Sequence, residues 1–295
     1  MKVASYLCNI YDNTTQDSWQ HLSESNIRNY FDKYDIPLNV IRSNDDRVKL
    51  SLAGLLESGR RNWKNNVPIN KIYRIYDFLE SDNDYGVFID LDTIIINRNV
   101  DIRNCIRKGD NYLKCDYYGT IEEVRDRRQK LIDNSQKPYH LTYFLNKMNF
   151  AHSRFPNATH RHMITNTGFS VLNKDFCQSL VNFLDENKLN FNKKEDILSY
   201  YNNYPLLWRN ARSPCNDEFL IEAYLRYDPD IVHKLKNHDI KHEGQEKILC
   251  TDSGGKNFED HTMQYFVDQD PLFHHILREK NREETLPVVM RMFEV

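Results

Sequence analysis

Two aspartates, Asp90 and Asp92, stand between two apolar runs, residues 87–89 and 94–96. The first run is typical of a central strand that is buried on both faces. An unpaired carboxylate is costly inside such a strand, so we expect the pair at its carboxyl end, where open α/β sheets bind ligands. Side chains two positions apart in an extended chain point the same way, so both carboxylates could hold one divalent cation, and the cation could hold phosphates. The simpler interpretation is a turn that the aspartates cap locally.

A second pair of acids, Asp217 and Glu218, follows Ser213-Pro214. A serine cap, a proline at the first position and acids in the first turn are typical of a helix start. Asp217 borders the apolar stripe of this helix, so its carboxylate is predicted to point inwards. The positive end of the helix would stabilise that charge, and capping alone would also explain the pair.

Phosphate-binding groups are predicted at two further places. The turn Gly254-Gly255-Lys256 follows a predicted strand, and it could bring backbone N–H groups and an ammonium to a phosphate, or it could be an ordinary surface turn. Lys71 and Arg74 lie off the apolar face of the predicted helix 70–80. They are either solvated charges or partners of a diphosphate.

Ligand contacts are also predicted along two strands. Tyr6 lies near the end of the first predicted strand, and such a junction often meets a nucleotide in an α/β protein. Gly168 interrupts the predicted strand 164–172, which often marks the close approach of a ligand or of another backbone. His152, His160 and His162 fall on an apparent loop without a fixed metal-ligand pattern, so we expect a surface or substrate-facing loop there.

Alternating strands and helices must position these groups. The chain opens with a β-α-β pattern, and no internal repeat or low-complexity linker divides it, so one α/β domain is expected. The elements that bear on the site are strands over 2–7, 37–41, 164–172, 231–235 and 248–252, and helices over 17–34, 70–80, 175–187 and 271–281.

Composition narrows the functional classes. The chain has 295 residues, a net charge of -3 and 40% hydrophobic residues, which is typical of a soluble globular protein and gives no reason to expect nucleic-acid binding. No apolar stretch approaches the ~20 residues that cross a bilayer. The amino terminus turns polar too soon for a signal peptide, and six scattered cysteines form no C-x-x-C pair. We therefore expect a cytoplasmic protein.

The order of these motifs resembles that of GT-A-fold, nucleotide-sugar-dependent glycosyltransferases. The strand that ends in Asp90-Leu91-Asp92 is similar to the family's strand with its D-x-D motif. Asn166-Thr167-Gly168 looks like the segment beside the donor sugar, and Asn216-Asp217-Glu218 looks like the helix start that supplies an acid near the anomeric carbon. The resemblance runs from about residue 2 to residue 256.

The resemblance implies a Rossmann-like GT-A fold with a mixed, mostly parallel sheet flanked by helices. It implies a single domain over 1–295, with a nucleotide-binding half over 1–118 and an acceptor-side half over 119–295 that ends in a helix and a tail. The implied reaction moves a sugar from a nucleoside diphosphate, most often UDP, to a hydroxyl acceptor such as a glycan. The implied cofactor is Mn²⁺ or Mg²⁺.

The resemblance also assigns roles to residues. Asp90 and Asp92 would hold the metal, and Asp217 or Glu218 would act on the sugar, as a base in an inverting enzyme or by stabilising or attacking the sugar in a retaining one. The cofactor-binding residues would be Tyr6, Arg74, Asp90, Asn166, Thr167, Gly168 and Lys256.

One departure from the family pattern leaves the third metal ligand open. Where several GT-A families have a histidine before the C-terminal Gly…Lys, this chain has Cys250-Thr251-Asp252. Asp252, His261 or water could serve instead. Two other functions stay possible: a Mg²⁺-dependent nucleotidyl- or phosphotransferase, although no early glycine-rich phosphate loop is present, and a carbohydrate-binding module that has lost its activity.

Overall fold

The structure is a computed structural model, and it describes residues 1–11, 18–57, 70–136, 141, 145, 148, 162–203, 216–227, 229–232, 234–252 and 269–275. The strands in this part of the chain are β1 (Val3–Cys8), β2 (Leu38–Ile41), β3 (Tyr85–Ile89), β4 (Thr93–Ile95), β5 (Asn111–Gly119), β6 (His162–Asn173), β7 (Leu235–Lys236), β8 (Ile248–Asp252) and β9 (Pro271–His275). The helices are α1 (Trp19–Lys33), α2 (Asp46–Glu57), α3 (Tyr73–Glu80), α4 (Ile121–Asp133), α5 (Lys174–Glu186), α6 (Lys194–Asn203), α7 (Asn216–Tyr227) and α8 (Pro229–Val232), with a 3-10 turn at Ile102–Cys105.

Six of the described strands form the main sheet, in the order β2-β1-β3-β6-β5-β7. β1 pairs in parallel with β2 and β3, and β7 pairs in parallel with β5. β6 runs antiparallel to both β3 and β5. All strands of this sheet except β6 therefore run the same way. The predicted fold class, an α/β fold with a mixed, mostly parallel sheet flanked by helices, is confirmed.

The sheet is buried on both faces, which explains the continuous apolar runs in its central strands. Every residue of β1 and β3 is buried. One face packs against Tyr73 and Phe78 of α3 and against Phe176 of α5. The other face packs against the aromatic residues Tyr30 and Phe31 of α1. Helices on both faces are what parallel strands require, because neither face can be left to water.

Local signals place the helices that cover the sheet. Asn173 ends β6 and caps α5, because its side chain accepts a hydrogen bond from the N–H of Phe176 at 2.9 Å. Thr120 and Glu123 form a reciprocal capping box at the start of α4, a highly charged helix on the surface. Among the described residues, no helix has both the length and the apolar character that crossing a membrane needs.

A second, smaller sheet has the order β4-β9-β8. β4 follows directly on the aspartate pair, and it pairs antiparallel with β9, with Thr93 opposite His275. β8 pairs in parallel with the other edge of β9. This sheet brings residues 271–275 next to the end of β3, although the two segments are far apart in the sequence.

Two predicted elements are wrong. Residues 271–275 are strand β9 rather than the start of a helix, and the rest of that predicted helix lies outside the described residues. Proline is tolerated at the first residue of a strand, so Pro271 did not have to begin a helix. Residues 231–232 of the predicted strand 231–235 belong instead to the short helix α8, and of its described residues only residue 235 is in a strand, as the first residue of β7. Pro229 stands at the first position of α8, where its missing N–H costs nothing.

The division of the chain into two halves stays a prediction.

Candidate functional site

The aspartate pair lies where β3 ends, at the carboxyl edge of the main sheet. β3 ends at Ile89, and the backbone then turns, because the N–H of Thr93 donates to the carbonyl of Asp90 at 3.0 Å. The N–H of Asp90 donates to the carbonyl of Gly168 on the neighbouring strand β6 at 2.8 Å. Asp92 is 6% exposed, and the side chain of Asp90 is 11% exposed. Both carboxylates are therefore held in a protected position at the sheet edge.

His275, at the end of β9, completes a cluster with the two aspartates. Its Nε2 lies 3.3 Å from Oδ1 of Asp92 and 4.0 Å from Oδ2 of Asp90. One ligand atom from each of the three residues lies within 4.8 Å of the others. Burial lowers the pKa of His275, but the two carboxylates outweigh burial and raise the pKa above its ordinary value. The cluster is a candidate divalent-metal centre with two oxygen ligands and one nitrogen ligand.

The sequence did not predict His275 as a candidate for the third ligand. It proposed Asp252, His261 or water; His261 and the side chain of Asp252 lie outside the described residues. The signal in the sequence was His274-His275 at the end of a short apolar run. The two adjacent histidines have different partners. The Nδ1 of His274 lies 2.9 Å from Oγ1 of Thr251 in the small sheet, whereas His275 faces the aspartates.

Gly168 makes room for His275. A Cβ built on Gly168 would lie 2.0 Å from Cε1 of the His275 imidazole, and 2.3 and 2.4 Å from its two ring nitrogens. No other side chain fits at position 168 unless the imidazole moves. The close approach that the strand glycine predicted is therefore that of a histidine ring. That this segment also borders a donor sugar stays a prediction.

Two cations of low exposure, Lys71 and Arg74, face Asp90 from the segment around the start of α3. Nη1 of Arg74 lies 3.3 Å from Oδ1 of Asp90 and donates to the carbonyl of Ile89 at 2.7 Å. The ammonium of Lys71 forms a close ion pair with Oδ2 of Asp90. Burial lowers the pKa of Lys71, but Asp90 and Asp217 outweigh burial and raise the pKa. The two side chains pair with Asp90, so the possibility that they are solvated charges is wrong, and their contact with a diphosphate stays a prediction.

A third buried carboxylate, Asp217, belongs to the same cluster of charges. It stands in the first turn of α7, it is 4% exposed, and its Oδ2 accepts a hydrogen bond from Oγ1 of Thr167 at 2.6 Å. Burial raises its pKa, and the positive charge of Lys71 acts in the opposite direction without cancelling the rise. Glu218, the next residue, is half-buried. The two adjacent acids therefore have different surroundings.

The remaining predicted residues are more scattered. Asn166 lies on β6, where its Oδ1 accepts a hydrogen bond from the N–H of Gly168 at 2.9 Å. Tyr6 is buried in the core between Phe78 and Phe88, and its hydroxyl donates to Ser81, which precedes β3, whereas the aspartates follow β3. The structure therefore does not bring Tyr6 together with the others. Lys256, His152 and His160 lie outside the described residues, as does the side chain of His162.

No protein-family model matches the chain, and no curated protein matches it. Solved structures that are similar to it include two glycosyltransferases. A glycosyltransferase involved in the glycosylation of the major capsid of PBCV-1 aligns with 98% of this chain and 100% of its own, at 10% identity and a TM-score of 0.48. Mouse xyloside xylosyltransferase 1, in its apo form, aligns with 93% of this chain and 97% of its own, at 10% identity and a TM-score of 0.41. The assignment of the site therefore rests on the geometry of this chain's own residues.

Proposed function

We propose that this chain is a metal-dependent glycosyltransferase that moves a sugar from a nucleoside diphosphate, most simply UDP, to a hydroxyl acceptor such as a glycan. The observation that carries the proposal is the convergence of Asp90, Asp92 and His275 within 4.8 Å, with a further buried carboxylate and two cations of low exposure beside them. Such a centre at the carboxyl edge of a mostly parallel sheet is suited to a phosphate ligand.

The three cluster residues fit a divalent ion. Carboxylate oxygens suit Mg²⁺ and Mn²⁺, and the addition of an imidazole nitrogen favours Mn²⁺, because imidazole binds transition metals well. Asp90, Asp92 and His275 would hold the ion. A divalent ion bound there supplies positive charge that neutralises the departing nucleoside diphosphate.

Arg74 supplies a fixed positive charge at the same edge of the sheet. Hydrogen bonds to the carbonyls of Ile89 and Lys71 hold its guanidinium in place, and the side chain is 4% exposed. A charge that is already in position needs no reorganisation when the leaving group gains negative charge. Arg74 is therefore the residue of the chain that we assign to the leaving diphosphate.

Asp217 is the carboxylate that we assign to the sugar and its acceptor. The hydrogen bond from Thr167 orients the carboxylate, and its low exposure keeps water away. In an inverting reaction the carboxylate takes the proton of the acceptor hydroxyl as the new glycosidic bond forms. In a retaining reaction it stabilises or attacks the sugar as the bond to the diphosphate breaks.

Calorimetry with UDP, in the presence and absence of Mn²⁺, tests the proposed function. We expect UDP to bind with Mn²⁺ and to bind much more weakly without it. A screen of UDP-sugars for release of UDP then identifies the donor and tests for catalysis. Tight binding of UDP-sugars without any turnover would indicate a binding module, and no binding of UDP or of other nucleoside diphosphates would rule the proposal out.

Asp217→Asn is expected to lower turnover and to raise stability. Turnover should fall by about 100-fold or more, because the variant cannot take a proton. Burial raises the pKa of Asp217, so the folded protein binds the proton more tightly than the unfolded chain does. Ionisation of Asp217 therefore destabilises the folded protein. This loss of stability develops as the pH rises from about 4, the pKa in the unfolded chain, through the pKa in the folded protein. Each pKa unit of the rise corresponds to about 1.4 kcal/mol.

Thermal unfolding of the metal-free protein measures the stability effect at several pH values. The unfolding temperature of Asp217→Asn should exceed that of the wild type at pH 7, and the difference should disappear below about pH 4. Glu218→Gln is the matched control, because Glu218 is half-buried and adjacent. If both variants lost activity equally and mildly, the two acids would serve only to cap α7.

A further inference from the structure

Lys71 engages the side of Asp90 that faces the candidate metal centre. Its ammonium pairs with Oδ2 of Asp90, and the same oxygen lies 4.0 Å from Nε2 of His275. The Lys71 side chain is 14% exposed, so it is largely enclosed at this position. A divalent ion held by Asp90 and His275 would have to share that oxygen with the ammonium of Lys71 or displace the ammonium from it.

The two cations beside Asp90 are held differently. Arg74 is anchored by the backbone carbonyls of Lys71 and Ile89 as well as by Asp90. The ammonium of Lys71, within the part of the chain that the structure describes, has Asp90 as its hydrogen-bond partner. A lysine ammonium sits on a flexible four-carbon stem and binds as a point charge, so it can exchange one anion for another, whereas a guanidinium anchored on three sides cannot.

The balance of charges indicates when such an exchange is favourable. Three carboxylates (Asp90, Asp92 and Asp217) face the two cations Lys71 and Arg74 in a region of low exposure, and a metal ion would bind His275 as a neutral imidazole. A divalent ion alone would turn this small excess of negative charge into an excess of positive charge. A diphosphate that entered with the ion would restore the balance and would offer the ammonium of Lys71 a new set of oxygens.

We propose that Lys71 is an internal counter-ion that competes with the divalent cation for Asp90 and releases Asp90 when a nucleoside diphosphate binds. This inference rests on the proposed function and deepens it. Lys71 thereby makes the ion and the nucleotide bind cooperatively, since each improves the site for the other. In the free protein the ion binds weakly, and Asp90 stays paired with Lys71 until the nucleotide binds.

Titration of the metal-free protein with Mn²⁺, monitored by calorimetry, tests the role of Lys71. Lys71→Met removes the charge and keeps most of the stem. We expect this variant to bind Mn²⁺ alone about tenfold more tightly than the wild type does, and to show a smaller increase in Mn²⁺ affinity when UDP is added. Lys71→Arg retains the charge, so its affinity for Mn²⁺ alone should stay as weak as that of the wild type.

Two further measurements keep the proposal open to refutation. Lys49→Met, at an exposed lysine with the side chain 60% exposed, should leave Mn²⁺ affinity unchanged, and Lys71→Gln provides a second neutral variant if Lys71→Met does not fold. If wild type binds UDP with Mn²⁺ but neither neutral variant binds Mn²⁺ alone more tightly, the role of Lys71 is overturned and the proposed function stands. Equal Mn²⁺ affinities of the wild type with and without UDP would also overturn the proposed role of Lys71. Failure of the wild type to bind either ligand would instead refute the proposed function.

Discussion

Asp92→Asn is expected to lower sugar transfer by about 100- to 1000-fold, the scale on which one preorganised charged or polar group contributes to catalysis. Asp92 is the carboxylate nearest to the imidazole of His275, at 3.3 Å, and it is 6% exposed. Asparagine has nearly the same size, so the fold should persist. The variant loses a charged ligand of the candidate metal, so its affinity for Mn²⁺ should fall together with its turnover.

An exposed aspartate provides the control for this variant. Asp46 is in the first turn of α2, and its side chain is 96% exposed. Asp46→Asn makes the same chemical change away from the site, and it should leave Mn²⁺ affinity and turnover as they are. Near-normal sugar transfer by Asp92→Asn would show that the metal assignment is wrong. Circular dichroism of both variants would separate a lost site from a lost fold.

Gly168→Ala is expected to damage the metal centre through sterics alone. The added Cβ would lie 2.0 Å from the ring of His275, so the imidazole must leave its present position beside the aspartates. Overpacking of a buried position typically costs about 1–3 kcal/mol of stability. A displaced ligand should also weaken Mn²⁺ binding, by about 10- to 100-fold if its effect matches that of a lost supporting contact. Denaturant unfolding and Mn²⁺ calorimetry measure the two effects.

A double-mutant cycle identifies the cause of that damage. If the ring of His275 is what Gly168 accommodates, then Gly168→Ala should cost little further stability in a His275→Ala background. The two residues are in contact, so a large interaction energy between them is expected. An equal cost in both backgrounds would mean that the glycine serves another neighbour or the backbone.

The aspartate pair could be predicted from the sequence because its signal is local. An apolar strand, its end, and two acids two positions apart all fall within residues 85–96, and the structure places Asp90 and Asp92 at the end of β3. The same holds for Asp217, since the pattern of a helix start and an apolar stripe predicts an inward-facing carboxylate. Each of these predictions needed only the periodicity of one element.

His275 could not be predicted in this way, because its role depends on pairing between distant segments. The five residues of β9 form a short apolar run, and such a run cannot be assigned to a strand or a helix by periodicity alone. Its proline favoured a helix start. Only the ladder between β4 and β9, with Thr93 opposite His275, shows where the imidazole lies.

The two cations show a different limit of the sequence. Lys71 and Arg74 lie off the apolar face of the predicted helix 70–80, and that pattern is the same for a solvated charge and for a charge that pairs in the interior. The structure decides between them, because Asp90 offers one oxygen to each cation. A helical pattern predicts which residues share a face, but not what another element brings to that face.

The pairing of β4 with β9 also bears on the order in which the protein folds. These strands join residues 93–95 to residues 273–275, so their ladder closes a loop that contains most of the described chain. Closing a long loop costs entropy before its contacts form, and non-local pairing is correspondingly slow. The β1-β3 core can assemble from segments much nearer in sequence. We therefore expect the histidine to reach the aspartates late in folding, when the main sheet already exists to receive it.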